Sequence, residues 1–214
     1  MMKTVAVLHT ARATVPMLTG MIEQAYPGVT VYNWLDDSIL PMLMEDGMKI
    51  GYIYEKMLFY GKAAQDQGAA VILNACSSVG EFQDYAAGRL EIPVIRIDDA
   101  VTDLLASRCH SVGVLATLET TLRPSAAILK RKNVSMDLDF QVVEGAWAAG
   151  LSGDKKGQNR LIAAAMEAFL KEKEAVFLAQ ASMAEAAGLL REELRGRVYT
   201  SPVYAVDSLG KYLL

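Results

Sequence analysis

TVAVLHTARATV at residues 4–15 and SVGVLATLETTL at residues 111–122 read as two copies of one segment, half a chain apart. In each copy an apolar run leads into a threonine (Thr10, Thr117), a second threonine follows (Thr14, Thr121), and a proline falls near the expected start of a helix (Pro16, Pro124). An apolar, β-branched run passing into such a start is the mark of a strand feeding a helix. Further along, VILNACSSVGE from Val71 pairs with VFLAQASMAE from Val176, each copy ending its strand in small and hydroxyl residues. Duplication over this length predicts two internally related halves.

Between these anchors, short strand-like runs alternate with longer amphipathic stretches. The runs are Val5 to Leu8, Val29 to Tyr32, Ala70 to Leu73, Val94 to Ile97, Val112 to Leu115, Leu138 to Val143, Val176 to Leu178 and Val198 to Thr200. Strands alternating with helices imply an α/β fold with parallel sheets. Thr14 and Pro16 open one helical pattern, Gly68 closes a long one beginning near Met48, and Gly188 or Gly196 ends another.

Composition narrows the function classes. With 52% hydrophobic and 21% charged residues, the 214-residue chain is not a disordered one and is long enough to bury a sizeable core. Its net charge of -4 offers no basic footprint, so no nucleic-acid partner is expected. No apolar run approaches the roughly 18 residues of a membrane span, and the MMKTVAVLHT start lacks a signal-peptide pattern. Two cysteines, Cys76 and Cys109, suit free thiols in a reducing compartment. The expected address is therefore cytoplasmic, with no membrane partner.

In open parallel sheets, ligands sit at the carboxyl ends of the strands. That rule selects His9 and Thr10 after the first strand, Asp36 and Asp37 after the second, and Asn74 to Ser78 after the third. In the second half it selects Thr117, Thr120 and Thr121, then Glu144, then Gln180 to Ser182. A thiol at a helix N-terminus is drawn toward thiolate by the backbone N–H groups, which would make Cys76 a base or nucleophile; as a small buried hydrophobe it would be inert. Cys109 precedes a strand and reads as structural. Ser77, Ser78, Thr117, Thr120 and Thr121 are suited to holding a carboxylate, and equally to capping helices. His9 reads as an acid, a base, a hydrogen-bond donor to substrate, or a satisfied strand-end histidine. Asp36 and Asp37 read as a solvated turn. Met42, Met44, Met48 and Met57, interleaved with Tyr52, Tyr54, Phe59 and Tyr60, read as helix packing or a subunit interface. Gly145 to Gly157 reads as a lid or a plain loop, with Lys155 and Lys156 on a solvated face. No dinucleotide fingerprint, phosphate loop, G-x-S-x-G elbow or metal-ligand spacing occurs, so neither cofactor nor metal is expected.

NACSS at residues 74–78, GVLAT-x-x-TT at 113–121 and LAQASMA at 178–184, in this order, resemble the aspartate/glutamate racemase superfamily over essentially the whole chain. The resemblance implies two Rossmann-like α/β lobes, pseudo-twofold related, with a small-molecule carboxylate between them and a homodimer as the assembly. It also implies lobe boundaries: residues 1–98 with about 203–214 form the first lobe and 99–202 the second, the C-terminal helix from about Val203 returning to the first. In these racemases a cysteine of each lobe exchanges a proton with the substrate α-carbon, without cofactor. Cys76 matches the first-lobe cysteine, and Ser77 and Ser78 match neighbours that hold the carboxylate with the threonines after Leu115. The second-lobe cysteine is missing. Gln180 or Ala181 takes its place, depending on a one-residue choice of register, and neither exchanges a proton at neutral pH. The expected activity is thus a cofactor-independent isomerase or lyase acting through one cysteine. His9, Thr10, Asn74, Ser77, Ser78, Thr117, Thr120, Thr121, Gln180 and Ser182 line the expected substrate site, and Ser182 or His9 is the candidate second acid. A carboxylate-binding protein without catalysis, and a racemase with a non-cysteine second base, are the alternatives.

Overall fold

A computed structural model describes residues 3–45 and 49–214. Val5, Ala6 and Val7 are fully buried, as the inner strand of a parallel sheet must be. They belong to β1 (Thr4–His9), which leads through α1 (Thr14–Ala25) into β2 (Thr30–Leu35). Next come α2 (Ile39–Leu43), α3 (Ile50–Asp66), β3 (Ala69–Asn74), α4 (Phe82–Ala86) and β4 (Val94–Arg96). All pairings are parallel, in the order β2-β1-β3-β4. The edge strand β2 is half exposed while β1 and β3 are buried, so the apolar runs that were easiest to read are the central ones. Ile53, Met57, Ile72, Phe82 and Ile39 build the core on one face of this sheet.

The second series repeats the first. It runs through α5 (Asp99–Arg108), β5 (Ser111–Ala116), α6 (Glu119–Lys132), β6 (Asp137–Val142), α7 (Ala146–Leu151) and α8 (Lys155–Phe169). It ends with β7 (Ala175–Leu178), α9 (Glu192–Arg195) and β8 (Val198–Thr200), and the sheet order is β6-β5-β7-β8, again all parallel. Ile162 and Met166 of α8 pack with Leu115, Val176, Leu178 and Met183. Gly113 is required here: a Cβ at this position would come within 2.6 Å of the Phe169 ring.

The chain ends in α10 (Ser201–Ser208) and α11 (Gly210–Leu213). Tyr26 Oη donates to the carbonyls of Val206 and Asp207 at 2.9 and 3.1 Å, and Lys3 Nζ to that of Tyr212 at 2.9 Å. Two compact units result, Met1–Ile97 with Pro202–Leu214, and Asp98–Ser201. The α/β class with parallel sheets in duplicate is as expected.

Several local expectations are corrected. Pro124 lies inside α6, which begins at Glu119, so the proline leaves the Thr120 carbonyl without its intrahelical donor. Residues 145–157 are not a plain loop: Gly145 (φ 73°) enters α7, Gly153 (φ 82°) makes the turn, and the Asp154 side chain accepts from Gly157 N at 2.8 Å to start α8. The long helix begins at Ile50, and the expected start near Met48 lies outside the described residues. Of the methionine-rich stretch, Tyr54 and Met57 are buried in the core, whereas Met44, Tyr52 and Phe59 are exposed. After β7 the chain forms a 3-10 helix, Ala181–Leu189, before Gly196 closes the short α9.

Candidate functional site

At the carboxyl end of β3, Asn74 is fully buried and uses both ends of its amide on the next turn. Its Nδ2 donates to the Val79 carbonyl at 2.9 Å, and its Oδ1 accepts from Cys76 N at 3.2 Å. The turn it closes is a single 3-10 turn, Ser77–Val79, with Cys76 as the extended residue before it. This corrects the expected helix N-terminus, since one turn and a five-residue α4 carry little aligned dipole. Cys76 is buried, and burial pushes its thiol up from the ordinary value. Opposing that shift, the hydroxyls of Thr10 and Ser78 and the backbone N–H groups of Ser78 and Val79 hydrogen-bond the sulfur. The thiol therefore rests protonated, with donors already placed to hold the thiolate once a proton has left.

His9 is buried with both ring nitrogens engaged: Nδ1 lies 2.8 Å from Thr14 Oγ1 and Nε2 lies 2.8 Å from Asn33 Oδ1. Burial lowers its pKa, outweighing the hydrogen bond to Asn33, so the ring is neutral near pH 7. Such a ring braces the strand end and has no nitrogen left for a substrate. Asn74 likewise has both amide ends engaged within the protein, so both residues brace the ends of their strands.

Asp36 is not a solvated turn residue. Its carboxylate receives Lys56 Nζ at 2.8 Å, Tyr60 Oη at 2.8 Å, Ser38 Oγ at 2.5 Å and Ser38 N at 3.1 Å, pinning the segment after β2 to α3. Burial would raise its pKa, but the hydrogen bonds from Lys56, Ser38 and Tyr60 together hold it down at about 2. Asp37 pairs at the surface with Arg12 at 2.6 Å. Arg96 escaped the sequence reading. This nearly fully buried cation on β4 lies against Gly80, where any Cβ would collide with the guanidinium group. A charge inside the apolar run VIRI was its only signal in the sequence.

In the second unit, Thr117 follows β5 and points both its N–H and its hydroxyl at Gln180 Oε1, at 2.5 and 2.9 Å. Thr117 and Thr121 are buried, and the Thr120 Oγ1 has no hydrogen-bond partner among the described residues. Ser182 offers its carbonyl to Lys155 Nζ at 3.1 Å, and Lys155 also meets Gln158 Oε1 at 3.2 Å and Glu185 at 3.8 Å, so Lys155 is an organised residue of the α8 start.

The hydrogen-bond registers settle the one-residue choice. Leu8 O accepts from Ala75 N, and Leu115 O accepts from Ala179 N, both at 2.9 Å. The next residues, Cys76 and Gln180, are each the extended residue before a 3-10 helix, with φ and ψ of -125° and 110° against -122° and 132°. Gln180, not Ala181, is the counterpart of Cys76. Ser182 corresponds to Ser78, and Thr10, which bonds Cys76, corresponds to Thr117, which bonds Gln180.

Among the described residues no three His, Cys, Asp or Glu side chains come together to hold a metal ion, and no helix is long and apolar enough to cross a membrane.

The sequence matches the Asp/Glu/Hydantoin racemase family over residues 5–209. No curated protein sequence matches the chain. Among solved structures, glutamate racemase from Francisella tularensis subsp. tularensis SCHU S4, in complex with D-glutamate, superposes with a TM-score of 0.77 at 17% identity, covering 98% of this chain and 80% of that one. An aspartate racemase from Picrophilus torridus gives 0.76 at 14% identity, with 98% and 94% covered. An unliganded arylmalonate decarboxylase gives 0.64 at 15%, with 99% and 92% covered. At these identities the structures establish a common fold.

Proposed function

Because the chain belongs to the Asp/Glu/hydantoin racemase family, we propose that it is a cofactor-independent isomerase or lyase of a small carboxylate, working through the single thiol of Cys76. The observation that carries this reading is the pair of counterparts: a hydrogen-bonded thiol at Cys76 and an amide at Gln180. Racemisation of both enantiomers needs an acid or base on each face of the α-carbon, and an amide supplies neither near neutral pH. One-sided reactions need only one.

A protonated resting thiol favours a step in which Cys76 gives its proton to the α-carbon of an enediolate. The S–H bond breaks, the C–H bond forms, and the thiolate left behind is held by Thr10, Ser78 and Val79 until solvent returns a proton. Ser77 and Thr121 serve to hold the carboxylate or enediolate oxygens, while Ser78 gives its donors to the Cys76 sulfur and Thr117 gives its own to Gln180. Proton removal or thiolate addition by Cys76 belongs to the same reading but requires prior loss of the thiol proton. Burial of the sulfur also favours a second reading, a carboxylate-binding protein without turnover. We assign the protein to the cytoplasm, on its two free cysteines. Its assembly we take to be a homodimer, for which exposed Tyr52 and Phe59 on α3 offer apolar surface; light scattering tests this.

Incubation in heavy water with amino acids, 2-hydroxy acids, malonates and maleate, following product mass, tests the function. Turnover or deuterium uptake that disappears in Cys76→Ala supports the enzyme. Saturable binding with no turnover of any compound supports the second reading.

A further inference from the structure

The amide of Gln180 has a fixed orientation. One of its two neighbours is the Thr117 backbone N–H, which can only donate, so the atom facing it is the carbonyl Oε1, and the Thr117 hydroxyl donates to the same oxygen. The Nε2 end is thereby turned away from Thr117, with no acceptor among the described residues. Gln180 is only part-buried, whereas Ala179 and Ala181 on either side are buried. The residue in the place of a thiol is therefore an oriented pair of N–H donors.

We infer that Gln180 binds the substrate, its Nε2 donating to a ligand oxygen, and that it selects for an oxygen acceptor at this position. The inference rests on the reading that the site takes a small carboxylate. An ammonium group has no lone pair for the amide to meet, so the group seated against Gln180 is a carboxylate, carbonyl or hydroxyl oxygen. Thr117 acts through Gln180 as its positioning residue: with two donors on Oε1, rotation of the amide by half a turn would set N–H against N–H.

The substitution that separates this role from simple loop closure is Gln180→Glu. It keeps an oxygen for both Thr117 donors and nearly the same shape, but replaces the outward N–H groups by an anionic acceptor. Binding is measured by calorimetry with malonate, maleate, and D- and L-glutamate as probes, alongside the melting temperature of the unliganded protein. The expected result is a loss of affinity of roughly 10- to 100-fold for whichever probe the unsubstituted protein binds, with the melting temperature unchanged or raised. Equal binding by both proteins overturns the inference and leaves the carboxylate reading intact. Failure of the unsubstituted protein to bind any probe overturns both. Should the variant not fold, protein carrying 15N-glutamine decides. Ligand must slow solvent exchange of the Gln180 side-chain amide protons, and unchanged exchange at saturation overturns the inference.

Discussion

Cys76 and Gln180 occupy one structural position in two copies of the same unit, each the extended residue before a 3-10 helix and each hydrogen-bonded by the threonine that follows the first strand of its unit. The threonine hydroxyl has been kept in both copies while the group it serves has diverged, a sulfur in one and an amide oxygen in the other. On the function proposed above, that divergence separates proton chemistry from ligand recognition.

Burial of Cys76 sets how its thiol meets reagents. Because burial raises the thiol above its ordinary pKa, against the hydrogen bonds to the sulfur, little thiolate exists at pH 7. Alkylation by iodoacetamide, read at Cys76 by mass spectrometry, is expected to be slower at pH 7 than for a free cysteine and to keep rising beyond about pH 9. Rapid modification at neutral pH would show a depressed pKa and contradict this. The same sign predicts that a reaction using Cys76 as proton donor is flat across neutral pH and falls only in the alkaline range, whereas one using it as a base climbs there.

Asn74→Ala should loosen the turn that carries the thiol. Removing the amide strands the buried Val79 carbonyl and the Cys76 N–H, at a cost of about 2 to 3 kcal/mol. Urea denaturation measures the loss, and turnover should fall with it because the turn that carries Cys76 is loosened.

Asp36→Asn tests the cluster after β2. The folded pKa of about 2 lies below the ordinary 3.8, so this carboxylate's contribution is complete above about pH 4 and disappears as pH falls toward 2. The variant should be less stable by about 1 to 2 kcal/mol at pH 7, with the gap closing in acid. A gap independent of pH would mean that packing, not charge, is what the variant has lost.

His9 gives a dependence at higher pH. Its folded pKa lies below the ordinary 6.5, so as pH falls below 6.5 the unfolded chain takes up the proton first and stability drops until the lowered value is passed. In urea titrations at about pH 7.5 and 5.5, on either side of that value, the unsubstituted protein should lose more stability than His9→Gln. Equal losses would place the ring outside a buried site.

The strands were legible because each is a short, β-branched run, and the central ones are buried on both sides; each of the eight runs overlaps a strand of the structure. The family was legible from NACSS and the paired threonines, which the match over residues 5–209 supports. What escaped was set by contacts between distant residues. The Asp36 cluster needs Lys56 and Tyr60 from α3, and the sign of the Cys76 shift depends on burial, which no spacing reports. Residues 145–157 looked like a loop because four glycines and two lysines fall in them, yet only Gly145, at the entry to α7, and Gly153, in the turn to α8, take positive φ, while Gly150 and Gly157 lie inside the helices. The choice between Gln180 and Ala181 needed the backbone bond from Ala179 to Leu115.

The stereochemistry of labelling tests the single-thiol account most directly. The substrate found in the panel is turned over in heavy water, and the α-carbon of the product is examined for deuterium and configuration. The account predicts one deuterium in one configuration, with product formation lost in Cys76→Ala. Label in both configurations, or undiminished turnover by the variant, would contradict it.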